Sequence, residues 1–489
     1  MAEHFDVVVV GAGISGVGTG YHLQTRCPDR SYVILEARAA IGGTWDLFRY
    51  PGIRSDSDMH TLGFSFHPWT QAKAIADGPS IRDYVNETAR TYGIDKHIRF
   101  GTKVVSASWS TPDARWMVET ETNGERRTFS CNFLCMCSGY YSYDKGHAPA
   151  FAGAGDFAGR IVHPQFWPED LDYADKRVVV IGSGATAVTL VPEMAKAAGH
   201  VTMLQRSPTY VVSRPAQDAF ANRLRKLLPA KAAYGLTRWK NVLLGMFFYR
   251  LTRKRPERTK ERLLGMVREH LGPDYDVATH FTPRYNPWDQ RLCLVPDADL
   301  FEAIKSGSAE VVTDTIDRFV PEGIRLSSGK TLPADVIVTA TGLELALMGG
   351  VPLTVDGTPV RTGEKLQYKG MMFSDVPNMA FTFGYTNASW TLKADLVAKY
   401  VCRLLNTMAK RGKLIATPHN DDPTLQEEAF VDFSSGYIQR AADRLPKQGS
   451  RKPWKLNQNY ALDVMALRFG SVDDAMSFTN PPAANRAAA

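Results

Sequence analysis

Phe5-Asp-Val-Val-Val-Val10-Gly11-Ala-Gly13-Ile-Ser15-Gly16 opens the chain and decides how the rest is read. Its first half is short, β-branched and closed by a glycine, which suits a buried parallel strand better than a helix. The second half has G-x-G-x-x-G spacing, which carries weight only when a strand precedes it and a helix follows. Both conditions are met: a helical stretch runs to about Arg26, and a second strand is expected from Tyr32 to Leu35. Gly11 permits the tight turn, Gly13 lets backbone N–H groups approach a pyrophosphate at the helix N-terminus, and Gly16 lets helix and strand pack closely. Glu36 follows Gly16 by 20 residues and can accept hydrogen bonds from a ribose diol, as in the unphosphorylated adenosine of FAD or NAD.

The same pattern returns further along. Arg177 to Ile181 reads as a strand, Gly182-Ser183-Gly184-Ala185-Thr186-Ala187 as a second fingerprint with alanine in the third place, and Val201 to Leu204 as the next strand. Where the first unit has Glu36, this one has Arg206-Ser207. A guanidinium pairs with phosphate where a carboxylate would repel it, so the second unit is expected to take NADPH over NADH. Residues 98 to 139 read as short strands that complete the first sheet, and Asp335 to Gly342 as a strand re-entering the second. The expected fold is therefore α/β, with two Rossmann-like dinucleotide-binding domains and a helical insertion. The first domain spans 1–145 and 373–489, and the second spans 146–210 and 291–372. The insertion covers 211–290.

Four other stretches stand out. Gly42-Gly43-Thr44-Trp45, continuing through Tyr50-Pro51-Gly52 to Asp56, is a loop whose Trp45 and Tyr50 call for something flat to cover, such as an isoalloxazine ring. Phe157-Ala-Gly159-Arg-Ile-Val-His163-Pro-Gln-Phe-Trp167-Pro168 lies between the two fingerprints. Tyr285 to Pro296 is a Pro-flanked turn with one arginine, Arg291. Pro377 to Trp390 leads into a helix from about Leu392 to Leu405.

The 489 residues are 44% hydrophobic and 22% charged, an ordinary globular balance. No signal peptide, no spanning helix and no metal site are expected. Six cysteines without zinc or disulfide spacing point to a cytoplasmic protein with buried free thiols. The net charge of +7 is concentrated: residues 222–270 hold 14 Lys and Arg against three Glu. In the insertion, Leu236, Trp239, Val242, Leu243, Met246 and Phe247 recur at helical spacing and are expected to pack inward, with the basic run Arg250 to Arg262 solvated. The sharper alternative is a peripheral membrane surface that meets anionic lipid. No nucleic-acid partner is expected. The tail after Thr479, rich in Ala, Pro and Asn, is expected to be disordered.

Two fingerprints flanking both the Gly42–Asp56 and Phe157–Pro168 motifs resemble the type I Baeyer–Villiger monooxygenases over nearly the whole chain. The runs Gly43 to Asp58, Tyr285 to Pro296 and Gly384-Tyr-Thr-Asn-Ala-Ser-Trp-Thr-Leu-Lys-Ala-Asp395 resemble most the thioamide-oxidising members of that family. The resemblance implies FAD in the first domain, NADPH in the second, and O2 as co-substrate. It further implies that oxygen added at the flavin C4a carbon, as a peroxide, is inserted beside a ketone carbonyl to give an ester or lactone, with sulfur oxidation of thioethers and thioamides besides. The residues implied for FAD are Gly11, Gly13, Ser15, Gly16, Glu36, Gly43, Thr44, Trp45 and Asp56. Those implied for NADPH are Gly182, Ser183, Gly184, Ala185, Thr186, Arg206 and Ser207. Arg291 matches the family's catalytic arginine and Asp56 the carboxylate that orients it. Phe157, Gly159, His163 and Trp167 match its domain-coupling fingerprint. Many members carry lysine before that arginine; Gln290 stands here, which implies a weaker preference for NADPH. A flavin monooxygenase confined to nitrogen and sulfur is the first rival reading; a flavin reductase, which would need a redox cysteine pair after the first unit, and a membrane-surface scaffold are the others.

Overall fold

The computed structural model describes residues 2–431 and 435–482. Residues 483–489, most of the tail expected to be disordered, lie outside that range.

The four consecutive valines behave as a central parallel strand must. Strand Glu3–Val10 pairs in parallel with Tyr32–Leu35 on one side and with Phe129–Met136 on the other. Val7 and Val9 point into one core and Val8 and Val10 into another, all four essentially removed from water. Each contributes on the order of 2 kcal/mol by burial, and neither face of the strand tolerates a polar residue. Ile98–Arg99 extends the sheet beyond Tyr32–Leu35. On the opposite side strand Glu125–Met136 has two partners. Its first half pairs antiparallel with Arg115–Thr122, and its last residues pair in parallel with Met379–Phe381, so the chain's C-terminal part is anchored in its first sheet.

The second sheet is parallel throughout, in the order Ala309–Thr313, His200–Gln205, Arg177–Ile181, Val336–Thr339, Arg160–Val162. Val178 and Val180 face one core and Val179 and Ile181 another, repeating the alternation of the first unit. The chain crosses between units on one antiparallel ribbon: Tyr141–Gly146 leads out and Leu343–Leu345 leads back. The return precedes the expected boundary at 373. Leu353–Val355 already pairs with Ala107–Trp109, because an edge strand of the first sheet lies directly in the returning chain's path.

Fingerprint helix Ile14–Arg26 packs on the long helix Trp390–Lys410. The contact is pinned by buried ionisable groups. His22 Nε2 lies 2.5 Å from Asp395, whose other oxygen takes Lys399 and the Ser65 hydroxyl. Burial alone would push the Asp395 carboxyl up; the His22 hydrogen bond and the Lys399 charge overcome it and hold the group well below the carboxylate range.

Within 211–290, the span expected to be a helical insertion, strand Val211–Arg214 pairs with Cys293–Pro296 and is followed by helices Ala219–Leu227, Ala230–Lys254, Pro256–Leu271 and Val277–Phe281. Its orientation corrects the sequence reading. Leu236, Trp239, Leu243 and Phe247, expected to pack inward, are each about half exposed. Of that stripe Val242 is buried as expected, but the face of Ala230–Lys254 turned to the protein otherwise carries Tyr234, Thr237 and Arg238. Arg238 supplies the reason: its guanidinium donates to the carbonyls of His60, Thr61 and Gly63, and those bonds fix which side of the helix is buried.

Candidate active site

The strand ends and glycine turns of both units converge on one cavity of about 1050 Å³, with Gln290, at the end of the insertion, in its wall. Gly11 opens it, with φ +100°, a conformation glycine adopts without strain. A Cβ on Gly16 would stand 1.8 Å from the Gly11 carbonyl oxygen, so the fingerprint helix can start against the strand only if residue 16 is glycine. Gly43, itself at φ +56°, packs on Gly13 and begins the single helical turn Thr44–Leu47. Glu36 is almost wholly buried; one carboxylate oxygen accepts the Ala12 N–H at 2.6 Å and the other the Arg38 N–H at 2.8 Å. Burial raises its pKa, and these two N–H groups oppose the shift. Glu36 is thus fixed at the cavity wall with acceptor lone pairs to spare.

The second fingerprint faces the first across the cavity. Gly182 has φ +137°, and a Cβ there would come 2.4 Å from the Ala340 carbonyl oxygen. Ser183, Gly184, Ala185 and Thr186 line the cavity without a Cβ clash at Gly184. Ser183 donates to the Ser207 carbonyl at 3.0 Å. Arg206 and Ser207 are exposed at the rim, and Arg206 makes no ion pair among the described residues. The two units touch through loop Tyr50–Gly52: a Cβ on Gly52 would meet the Glu193 side chain at 2.8 Å and the Thr189 carbonyl at 3.0 Å.

Between the fingerprints stand Arg291 and Asp56. Nη2 of Arg291 lies 2.6 Å from Asp56 Oδ2 and Nε donates to the same oxygen at 2.9 Å, while Nη1 donates to the Thr386 carbonyl at 3.1 Å. A guanidinium has five N–H groups, so one remains free on each terminal nitrogen. The Asp56 carboxylate strengthens the hold of Arg291 on its proton, overriding burial. Arg291 is therefore a fixed cation with donors available in the cavity.

Several wall residues went unmarked in the sequence. Trp390 donates its indole N–H to Ser15 Oγ at 2.8 Å and stacks on Tyr140, centroids 4.9 Å apart. Tyr140 and Tyr437 both lie near enough to Arg291 to feel its charge. Tyr140 directly follows the strand-rich stretch 98–139, and Trp390 closes the Pro377 to Trp390 stretch. Nothing local to Tyr437 announces it.

The Phe157–Pro168 motif does not reach the cavity. Phe157 is buried against Phe319, and a Cβ on Gly159 would lie 2.2 Å from the Asp335 carbonyl oxygen. Trp167 packs edge-on to Tyr173. His163 lies against Gly146 on the crossover ribbon, leaving no space for a Cβ there, and Gln165 donates to the Ser142 carbonyl at 2.8 Å. Burial lowers the His163 pKa, disfavouring the charged form of the ring.

Comparison with known proteins places this site in a family. A profile described as flavin-binding monooxygenase-like matches residues 6–231. The FAD-containing monooxygenase EthA of Mycobacterium tuberculosis H37Rv is 58% identical over 485 residues, 99% of both chains. The chain belongs to the FAD-containing monooxygenases. EthA of Mycolicibacterium smegmatis is 56% identical over 486 residues, 99% of both chains. The probable FAD-binding monooxygenase AlmA of Acinetobacter baylyi is 49% identical over 479 residues, 97% of this chain and 96% of that one. Among solved structures, an open form of cyclohexanone monooxygenase superposes with a TM-score of 0.78 at 20% identity, covering 98% of this chain and all of that one. Steroid monooxygenase bound to NADP superposes at 0.77 and 22% identity over the same shares. This monooxygenase therefore has their two-domain fold, and its glycine cradles and buried Glu36 fit a dinucleotide bearing an unphosphorylated ribose in the first unit.

Proposed function

We propose that this monooxygenase uses NADPH and O2 to insert one oxygen atom beside the carbonyl of an apolar ketone, forming an ester or lactone, and that it also oxidises sulfur in thioethers and thioamides. The observation that carries the reading is the Arg291–Asp56 pair, held between the two nucleotide loops with two guanidinium N–H groups unused. Solved relatives of the same fold are named for cyclohexanone and steroid oxidation, and one of them holds ε-caprolactone.

The first unit, residues 1–145 with the returning chain from 353, holds FAD. Gly11, Gly13, Ser15 and Gly16 cradle its pyrophosphate, Glu36 its ribose, and Gly43, Thr44, Trp45 and Asp56 the ring end. The second unit holds NADPH on Gly182, Ser183, Gly184, Ala185 and Thr186, with Arg206 and Ser207 on the 2′-phosphate. Reduced FAD supplies the activation of O2. The chain's own part is electrostatic. Arg291 meets negative charge developing on oxygen with donors already oriented by Asp56 and the Thr386 carbonyl, so little reorganisation is needed during the reaction. Trp390, Tyr140 and Trp45 wall the site against water. His163, Trp167, Phe157 and Gly159 couple the ribbon to the second sheet and set how the units close. The six free, buried cysteines support a reducing, cytoplasmic setting.

The test is product analysis of the purified, FAD-loaded protein with NADPH, air and a panel of ketones and aryl methyl sulfides. Ester formation in step with NADPH consumption is expected. Sulfoxide without any ester would favour the nitrogen- and sulfur-oxidising reading, and hydrogen peroxide as the sole product would overturn oxygenation altogether.

A further inference from the structure

Sixteen large hydrophobic side chains are exposed among the described residues, and twelve of them fall in two short segments, 220–248 and 462–469. These segments are distant in sequence but adjoin in space. The Trp239 ring stands 5.7 Å from Tyr460, and Val242, Met246 and Tyr460 share a small cluster with Tyr385, Ala388 and Leu392. Leu236, Trp239, Leu243 and Phe247 on one side, with Leu462, Met465 and Phe469 on the other, therefore form a broad apolar face beside the motif whose Tyr385, Ala388 and Trp390 line the cavity. Apolar clustering on this scale marks a surface that meets something.

The charge around the face says what. Leu236, Trp239, Leu243 and Phe247 recur at i, i+3 and i+4 along helix Ala230–Lys254, and the same stripe continues into Arg250 and Lys254. Arg250, Lys254, Arg255, Arg258 and Arg262 face solvent, and none makes an ion pair among the described residues. A second copy of this chain seated on the face would oppose these unpaired cations with their own kind. An anionic bilayer would neutralise them while taking up the apolar stripe. Among the described residues no helix is long and apolar enough to cross a membrane, so a lipid contact here would be made along the bilayer surface.

We infer that the exposed face of helix Ala230–Lys254, with residues 462–469, docks this protein on an anionic lipid surface with the wall of its active site turned toward the bilayer. Docking stands on the surface alone. Its consequence, that ketones dissolved in the membrane reach the cavity without crossing bulk water, rests on the proposed oxygenation.

Co-flotation of the full-length, FAD-loaded protein with phosphatidylglycerol-containing vesicles tests it, with pure phosphatidylcholine vesicles and high salt as comparisons. Wild type is expected to float with the anionic vesicles. Binding should fall at least about tenfold on neutral vesicles, in the double variant Leu243→Glu/Phe247→Glu, and in Arg250→Glu/Lys254→Glu. Flavin content and turnover of a water-soluble ketone should stay at wild-type levels in both variants, which separates loss of docking from loss of folding. Absence of wild-type flotation at low salt would overturn the inference. So would flotation undiminished in Leu243→Glu/Phe247→Glu, or a dimer in light scattering that this variant dissolves while wild type ignores vesicles. If flotation holds but no ketone is oxygenated, the docking surface stands and the oxygenase reading falls.

Discussion

Arg291 and Arg206 are both cations at one cavity, yet their surroundings assign them different work. Arg291 is bound by Asp56 through two nitrogens and by the Thr386 carbonyl through the third, so it is rigid. Arg291→Ala should bind FAD and consume NADPH as before while oxygenated product falls about 10²–10³-fold, the range seen when one preorganised donor to a developing oxyanion is removed. Product assays against peroxide release check this. Arg206 is exposed at the rim and makes no ion pair among the described residues. Arg206→Ala should raise KM for NADPH at least about tenfold while leaving KM for NADH nearly unchanged, in line with loss of a charge-assisted phosphate contact; equal effects on both coenzymes would remove its role. Glu36, Arg206 and Arg291 were legible because each sits at a fixed offset from a glycine turn or in a family motif. Tyr437 was not, because its place beside Arg291 is set by chain folding across nearly 150 residues and by no local pattern.

Among the elements, the fingerprint helix is held at both ends of its buried face. Gly16→Ala would force its Cβ against the Gly11 carbonyl, and overpacking of this kind costs about 1–3 kcal/mol. The variant should lose FAD on purification and melt at a lower temperature. At the other contact, the Asp395 carboxyl is held below the ordinary carboxylate range. A depressed pKa gives stability that is present above the unfolded value, near 4, and is lost as pH falls toward the folded one. Urea midpoints should therefore be steady from neutral pH to about 5 and drop below about 4. Asp395→Asn should lower the midpoint at pH 7 and flatten that acid limb; an unchanged limb would assign it to other carboxylates. The strands and helices themselves were readable in sequence, since a run of valines closed by glycine admits few alternatives. The orientation of helix Ala230–Lys254 was not. Its apolar stripe satisfied every rule for inward packing, and only the three carbonyls waiting at residues 60, 61 and 63 turn Arg238 inward in its place.

At the scale of the whole molecule, the two nucleotide units share a cavity because the chain crosses between them on one ribbon and loop Tyr50–Gly52 rests on the second fingerprint helix. The duplication was visible as a repeated glycine pattern. The early return of Leu353–Val355 to the first sheet was hidden, because a three-residue edge strand has too little periodicity to declare its partner. In the proposed reaction one atom of O2 enters the substrate beside a carbonyl and the other leaves as water. Turnover of a cyclic ketone with NADPH under ¹⁸O2 measures that directly. One ¹⁸O in the lactone, at the ring oxygen, with product equal to NADPH consumed is the predicted result; unlabelled lactone, or label found only in hydrogen peroxide, would contradict it.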